Sequence, residues 1–233
     1  FIVFKPIILL YMYKGYLIAT VIFYTFFTFL LGLFETIDWS DEIEALNNWQ
    51  PGTIFLTFTY WNFVLQYIFY IIELLSVYQF ITVTQETKEI LLNIIFAPGV
   101  SILGYWILIN VLEWGFLIPW YIDVSIHGIN ILMLMGIVVL KYPCIAQLNT
   151  FQNIVLPSIV PAIYFIVTVT YTTVTMKMIY PSNLFSFVSI DDNPPYGWLG
   201  VLFLCVGIPL PQLIFYFVCN TLRKGRYMRV LDQ

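Results

Sequence analysis

The chain has 233 residues, of which 61% are hydrophobic and only 9% charged, and its formal net charge is −4. Soluble globular domains carry about 25% charged residues, so this composition excludes a water-soluble fold and predicts an all-α integral membrane bundle. Because the net charge averages basic and acidic segments, it says little about partners. The four basic residues after position 222 follow a predicted membrane span, so we expect them beside anionic lipid head groups and predict membrane lipids, not nucleic acid, as partners.

A membrane-spanning helix needs about 20 apolar residues, and the chain contains several such stretches. In chain order the six predicted spans are 15–34, 53–80, 90–112, 123–140, 154–175 and 198–218. They predict a transmembrane domain at 15–219, preceded by an apolar segment at 1–14 that either extends the first helix or lies along the interface, and followed by a basic tail at 220–233. Because the chain opens on Phe1 rather than Met, we expect its N-terminus to be processed or incomplete.

The distribution of the nine Lys and Arg residues predicts the orientation of the spans. All except Lys177 fall on one side of the membrane in the six-span arrangement. Those residues are Lys5, Lys14, Lys88, Lys141, Arg223, Lys224, Arg226 and Arg229. By the positive-inside rule, both termini then face the cytoplasm or an equivalent compartment such as the mitochondrial matrix.

Polar side chains inside membrane spans are costly, so each is a functional candidate. On the second predicted span, Thr59, Asn62, Gln66 and Glu73 fall within about 60° of one another on a helical wheel, which predicts one polar stripe. The stripe is either a seam of interhelical hydrogen bonds that faces the bundle interior or a site. Glu73 needs a partner there, because a buried carboxylate without one becomes protonated.

A second polar group lies on the fourth predicted span, where Asp123, His127 and Asn130 are spaced four and three residues apart and so share one face. His127 is the only histidine, which rules out a His-rich metal site within this chain. The sequence also has no Walker loop and no GxSxG, HExxH or CxxC motif. We therefore predict neither a cofactor nor a metal.

Four short motifs follow one another along the spans: F-L-T-F at 55–58, Phe-x-Pro-Gly at 96–99, His-Gly at 127–128 and Tyr-Pro at 180–181. In this order they resemble the androgen-induced and androgen-dependent multi-pass membrane proteins, which act as threonine hydrolases on lipid esters. The likeness covers roughly residues 15 to 220. It implies Thr57 as the nucleophile and His127 as its base. Beside this pair, Asp123, one turn before His127, is a candidate to orient the imidazole, and Asn130 is a candidate oxyanion donor.

The resemblance also implies a substrate and a location. Fatty acid esters of hydroxy fatty acids are the implied lipid ester substrates. An endomembrane or the plasma membrane is the implied location, and the mitochondrial inner membrane is the alternative. The chain departs from the family at Asn130, which stands where the family has a second histidine.

Helix geometry predicts the depth of Thr57 and His127 in the membrane and the face of the helix on which Thr57 lies. Thr57 and His127 each lie four residues inside the start of a span, so at 1.5 Å per residue both are expected roughly 6 Å below the outer boundary. On the helical wheel, however, Thr57 lies about 160° from Gln66. We therefore expect the polar stripe and the nucleophile on different faces of the second helix.

Two other functions stay open on the sequence. The main alternative is a non-catalytic subunit of a larger membrane complex that retains the family fold, a role that the aromatic-rich surface suits. The third is a small-solute transporter. The proline-broken fifth and sixth spans favour transport, whereas the lack of an internal repeat speaks against it.

Overall fold

A computed structural model of the protein describes residues 4–34, 53–111, 120–140 and 151–175. Six α-helices occur in these ranges: α1 (Phe4–Phe34), α2 (Phe58–Val77), α3 (Gln85–Val111), α4 (Trp120–Val124), α5 (Asn130–Leu140) and α6 (Leu156–Thr175). A 3-10 turn at Thr53–Leu56 precedes α2, and π-helical turns at Ser125–Ile129 and Phe151–Val155 precede α5 and α6. Within these ranges there is no β-strand, so the predicted all-α class is confirmed for this part of the chain.

Four stretches of the described chain are long and apolar enough to cross a membrane: Leu10–Leu33, Phe58–Val77, Gln85–Gly104 and Trp120–Ile137. The chain is therefore an integral membrane protein, as its composition predicts. The fifth predicted span falls on α6, whose apolar stretch Leu156–Thr168 is shorter. The sixth, at 198–218, and the basic tail at 220–233 lie outside the described residues.

The first helix is continuous for 31 residues from Phe4. It passes through Lys14 and Gly15 without interruption, as expected if the segment before Gly15 extends the first helix. The second helix is shorter than the predicted span, because it begins only at Phe58 and ends at Val77. Thr57 therefore precedes α2 rather than lying within it.

Hydrogen-bonded caps set the end of α2 and the start of α3. At the end of α2, Gln79 has a φ of 63°, and the Phe80 amide donates to the Leu75 carbonyl at 2.9 Å. This pattern is a Schellman cap with glutamine at the left-handed position that glycine usually occupies. Thr84 then caps α3, since its hydroxyl accepts a hydrogen bond from the Thr87 amide at 3.2 Å. A short turn with both ends capped thus joins the two helices.

Side-chain contacts define the directions of the helices. Tyr24 and Tyr13 of α1 contact Gln66 and Glu73 of α2 respectively, so α1 and α2 are antiparallel. On the same basis α3 is antiparallel to α2, because Lys88 contacts Glu73 near one end of the pair, while Gly99 faces Asn62 and Gln66 further along.

The segment from α4 to α5 runs parallel to α2. Thr59 contacts His127 at one level, and Asn62 and Ile131 both approach Gly99 at the next. Large side chains fill the space between these helices. The fully buried ones include Leu17, Tyr24, Phe63, Tyr70, Leu92 and Leu134.

Candidate active site

The polar stripe of α2 faces the bundle interior, as the helical wheel predicts. Asn62, Gln66 and Glu73 are 2%, 0% and 0% exposed. Tyr24 donates to Gln66 Oε1 at 2.5 Å, and Tyr13 donates to Glu73 Oε1 at 2.6 Å. These two contacts join α1 to α2. Gln66 and Glu73 therefore belong to a seam of interhelical hydrogen bonds, which is one of the two predicted roles of the stripe.

Glu73 has the partner that its burial requires. Lys88 Nζ of α3 lies 3.1 Å from Glu73 Oε2, and the two side chains are 7% and 0% exposed. The sequence identifies Lys88 only as one of the basic residues that orient the spans. In the folded bundle it is an internal counter-ion, because two buried opposite charges stabilise each other where water cannot solvate them.

The helix that carries His127 changes its winding around that residue. α4 ends at Val124, and in the π-helical turn that follows, the Asn130 amide donates to the Ser125 carbonyl five residues back. Such turns insert an additional residue into a helix and occur frequently at functional sites. This one places His127 between α2 and α3, both of which contact the turn.

The His127 ring lies between the hydroxyl of Thr59 and the carboxylate of Asp123. Its Nδ1 lies 3.0 Å from Asp123 Oδ1 and 3.1 Å from the Asp123 carbonyl oxygen. Because both of these groups are acceptors, Nδ1 carries the proton of the neutral ring. The unprotonated Nε2 then faces Thr59 Oγ1 at 3.2 Å. The spacing of Asp123 and His127 predicts that they share a face, and their contact confirms it.

Trp106 of α3 completes the surroundings of the carboxylate. Its indole Nε1 donates to Asp123 Oδ2 at 2.5 Å, and its ring lies parallel to the His127 imidazole, with the centroids 6.2 Å apart and an interplanar angle of 3°. Both Asp123 oxygens thus have donors, which fixes the carboxylate and, through it, the imidazole. Trp106 is not among the sequence candidates, since nothing local distinguishes it from other span tryptophans.

Thr57, the nucleophile that the resemblance implies, caps α2. It has an extended backbone, and its hydroxyl accepts a hydrogen bond from the Tyr60 amide at 3.2 Å. Its side chain is buried, with 5% exposure. The expected separation of about 160° from Gln66 does not apply, because a helical wheel describes only residues inside the helix. The hydroxyl in contact with His127 is that of Thr59, which the sequence assigns to the polar stripe.

Asn130, the remaining predicted site residue, begins α5 and is 1% exposed. Within the described ranges its side-chain oxygen has no hydrogen-bond partner, and neither does the side-chain amide of Asn62 on α2. Asn130 thus lies just past the turn that holds His127, and its side-chain oxygen does not accept a hydrogen bond from that ring. No cluster of three or more metal-ligating side chains occurs among the residues that the structure describes.

This integral membrane protein thus holds a hydroxyl, an imidazole and a carboxylate between its helices, each in contact with the next. Comparison of the chain with family models, curated proteins and solved structures finds no match. The chemistry of these side chains and the resemblance of the short motifs are therefore the grounds on which a function is proposed.

Proposed function

We propose that this protein is a membrane-embedded hydrolase of lipid esters. The observation that carries the proposal is the line from Thr59 Oγ1 through His127 to Asp123, with distances of 3.2 and 3.0 Å. A threonine hydroxyl is a weak nucleophile at neutral pH and needs an adjacent base that is itself oriented by a third group. These three side chains have that relationship.

In the proposed reaction, Thr59 Oγ attacks the ester carbonyl carbon while its proton passes to His127 Nε2. The tetrahedral intermediate expels the alcohol, which takes the proton from His127, and leaves an acyl-threonine. Water then attacks the acyl group with the same imidazole as base, releasing the fatty acid and restoring the hydroxyl. Asp123 accepts the hydrogen bond from His127 Nδ1 and stabilises the imidazolium.

The substrate class follows from the surroundings of the site. Thr59 and His127 lie on helices that are apolar and long enough to span a membrane, so an ester would reach them laterally from lipid. Fatty acid esters of hydroxy fatty acids are the substrates that the motif resemblance supports. The proposal includes six crossings with both termini on the basic side, in an endomembrane, the plasma membrane or the mitochondrial inner membrane.

The two threonines give the proposal its sharpest test. Under the structural geometry Thr59 is the nucleophile, whereas the resemblance implies Thr57. A long-chain fluorophosphonate labels an activated hydroxyl, and peptide mass spectrometry locates the label. Thr59→Val keeps the shape of the side chain and should abolish labelling. Thr57→Asn removes the hydroxyl but keeps a capping acceptor, so it should leave labelling intact.

The outcomes separate the assignments. Loss of label in Thr57→Asn, with retention in Thr59→Val, would transfer the nucleophile to Thr57 and leave His127 as the base. His127→Gln should abolish labelling in either case. An unlabelled wild-type protein, or label that survives both threonine variants, would refute the hydrolase proposal and favour the non-catalytic subunit. Native electrophoresis in mild detergent would then be expected to recover the chain in a larger complex.

A further inference from the structure

Three buried amide side chains next to the proposed site have polar atoms that find no hydrogen-bond partner among the residues that the structure describes. The unpartnered atoms are both ends of the Asn62 amide, Gln66 Nε2 and Asn130 Oδ1. None of these residues is more than 2% exposed. Buried polar groups are nearly always hydrogen-bonded, and leaving them unpaired is costly. Orphaned amides concentrated in one place therefore indicate a ligand that supplies the missing partners.

Two of the amides converge on one point. A Cβ built on Gly99 of α3 would lie 3.2 Å from Asn62 Nδ2 and 3.3 Å from Gln66 Nε2. That position is one bond from Gly99 Cα and 2.6 Å from Ile131 Cδ1, so it shows that the two nitrogens lie together against the α3 backbone and does not itself mark the place of an oxygen. The orientation of Gln66 is fixed by Tyr24, which donates to its oxygen at 2.5 Å and leaves its nitrogen as a donor. The absence of a side chain at Gly99 allows both nitrogens to approach the α3 backbone.

The convergent amides lie directly beyond the proposed catalytic contact. Asn62 follows Thr59 by three residues on α2, and Asn130 follows His127 by three residues where α5 begins. Since the two helices run parallel, both asparagines lie one turn further along the bundle in the same direction. A lipid whose ester meets Thr59 would thus have the amides beside it and not at the far end of its chain.

We propose that Asn62 and Gln66 form a subsite for an acyl carbonyl oxygen, with the two amide nitrogens as its donors. The inference rests on the proposed hydrolase function and specifies how the same site would hold its substrate. When Thr59 Oγ bonds to the carbonyl carbon, the π electron pair moves onto this oxygen, and the alcohol's departure returns it. Neutral donors that are already oriented in a water-poor interior stabilise that transient charge.

A non-hydrolysable ligand tests the subsite separately from catalysis. The purified full chain in nanodiscs is titrated with a long-chain dialkyl ketone, with an alkane of equal length and with a fatty acid. Thermal unfolding and tryptophan fluorescence report binding. The ketone should raise the unfolding temperature and the alkane should not. The fatty acid should stabilise the protein less than the ketone does, because neutral amide donors alone compensate poorly for burying a carboxylate.

Asn62→Leu distinguishes a ligand site from a structural seam. Replacing unpaired polar atoms with an apolar group of similar shape should raise the unfolding temperature of the ligand-free protein. The same change should weaken ketone binding by at least about tenfold, the factor that corresponds to roughly one hydrogen bond. Thr168→Val on α6 is the matched control, because it removes a buried hydroxyl that likewise has no hydrogen-bond partner among the described residues. It should leave ketone binding unchanged.

A second variant leaves both amides in place. Gly99→Ala combined with Ile131→Val puts a methyl group where the nitrogens converge and removes the Ile131 Cδ1 atom that lies 2.6 Å from that position. It should also abolish the stabilisation by ketone.

The carbonyl subsite is overturned if Asn62→Leu lowers the unfolding temperature and leaves ketone binding intact, if the alkane stabilises as much as the ketone, or if only the fatty acid binds. Failure of the hydrolase proposal looks different. In that case ketone binding still depends on Asn62, while the wild-type protein shows no phosphonate label and no ester hydrolysis.

Discussion

Replacing Lys88 with methionine is expected to destabilise the bundle by roughly 3–5 kcal/mol, the usual cost of removing one partner from a buried ion pair. In wild type the two charged groups are 3.1 Å apart, with the side chains 7% and 0% exposed. In the variant, Glu73 keeps the hydrogen bond from Tyr13 that spans 2.6 Å. That bond offsets part of the loss, so the lower end of the range, about 3 kcal/mol, is expected.

The measurement is reversible unfolding by dodecyl sulfate in mixed micelles, followed by circular dichroism. Glu73→Gln combined with Lys88→Met should lose less stability than the sum of the two single variants, with a coupling of at least about 2 kcal/mol. Gln keeps an acceptor for Tyr13 without leaving a charge unpaired. The control is Glu86→Gln at an exposed carboxylate that hydrogen-bonds Gln152, and it should cost less than about 1 kcal/mol.

A loss below about 1 kcal/mol in Lys88→Met would refute the reasoning, because it would show that the pair is solvated or that its desolvation offsets its attraction. Strict additivity of the two single variants would do the same.

Three further predictions use the same unfolding assay or the phosphonate label. Gln79→Gly should stabilise the protein by about 0.5–1 kcal/mol, since glycine adopts the φ of 63° without steric cost; a decrease would contradict the capping geometry. Gly136→Ala should destabilise by about 1–3 kcal/mol, because the new Cβ would lie 2.8 Å from the Tyr16 hydroxyl. Gly15→Ala, where nothing lies within 4 Å, should stabilise slightly, so equal effects of the two alanines would count against this packing. Trp106→Phe removes the hydrogen bond to the carboxylate and should slow phosphonate labelling about tenfold or more, and an unchanged rate would exclude that role.

Much of the membrane architecture could be predicted from the sequence because the bilayer imposes simple rules. Helical periodicity placed Asn62, Gln66 and Glu73 on one inward face. The four-residue spacing of Asp123 and His127 placed their side chains in contact. Both predictions depend only on positions within a regular helix.

The remaining features depend on departures from regular helices or on contacts distant in sequence. The helical wheel does not apply to Thr57, because α2 begins at Phe58 and Thr57 is its cap. The turn around His127 has π-helical winding, which no local residue pattern indicates, and the choice of Thr59 as its contact follows from that winding and from helix packing. Lys88 was predicted only to mark the basic side of the membrane. In the sequence, a lysine near a helix end looks the same whether it faces lipid head groups or a buried carboxylate.

The turn between α2 and α3 also has a consequence for how the chain enters its membrane. Both members of the Glu73 and Lys88 pair lie on these two helices, and the caps on either side of the turn are formed entirely by residues of the turn and of the adjoining helix ends. The two helices can therefore leave the translocation machinery as a hairpin whose internal charges already cancel. Later helices then pack against a preformed hairpin in which the buried carboxylate and amine already neutralise each other, as expected when insertion precedes helix association.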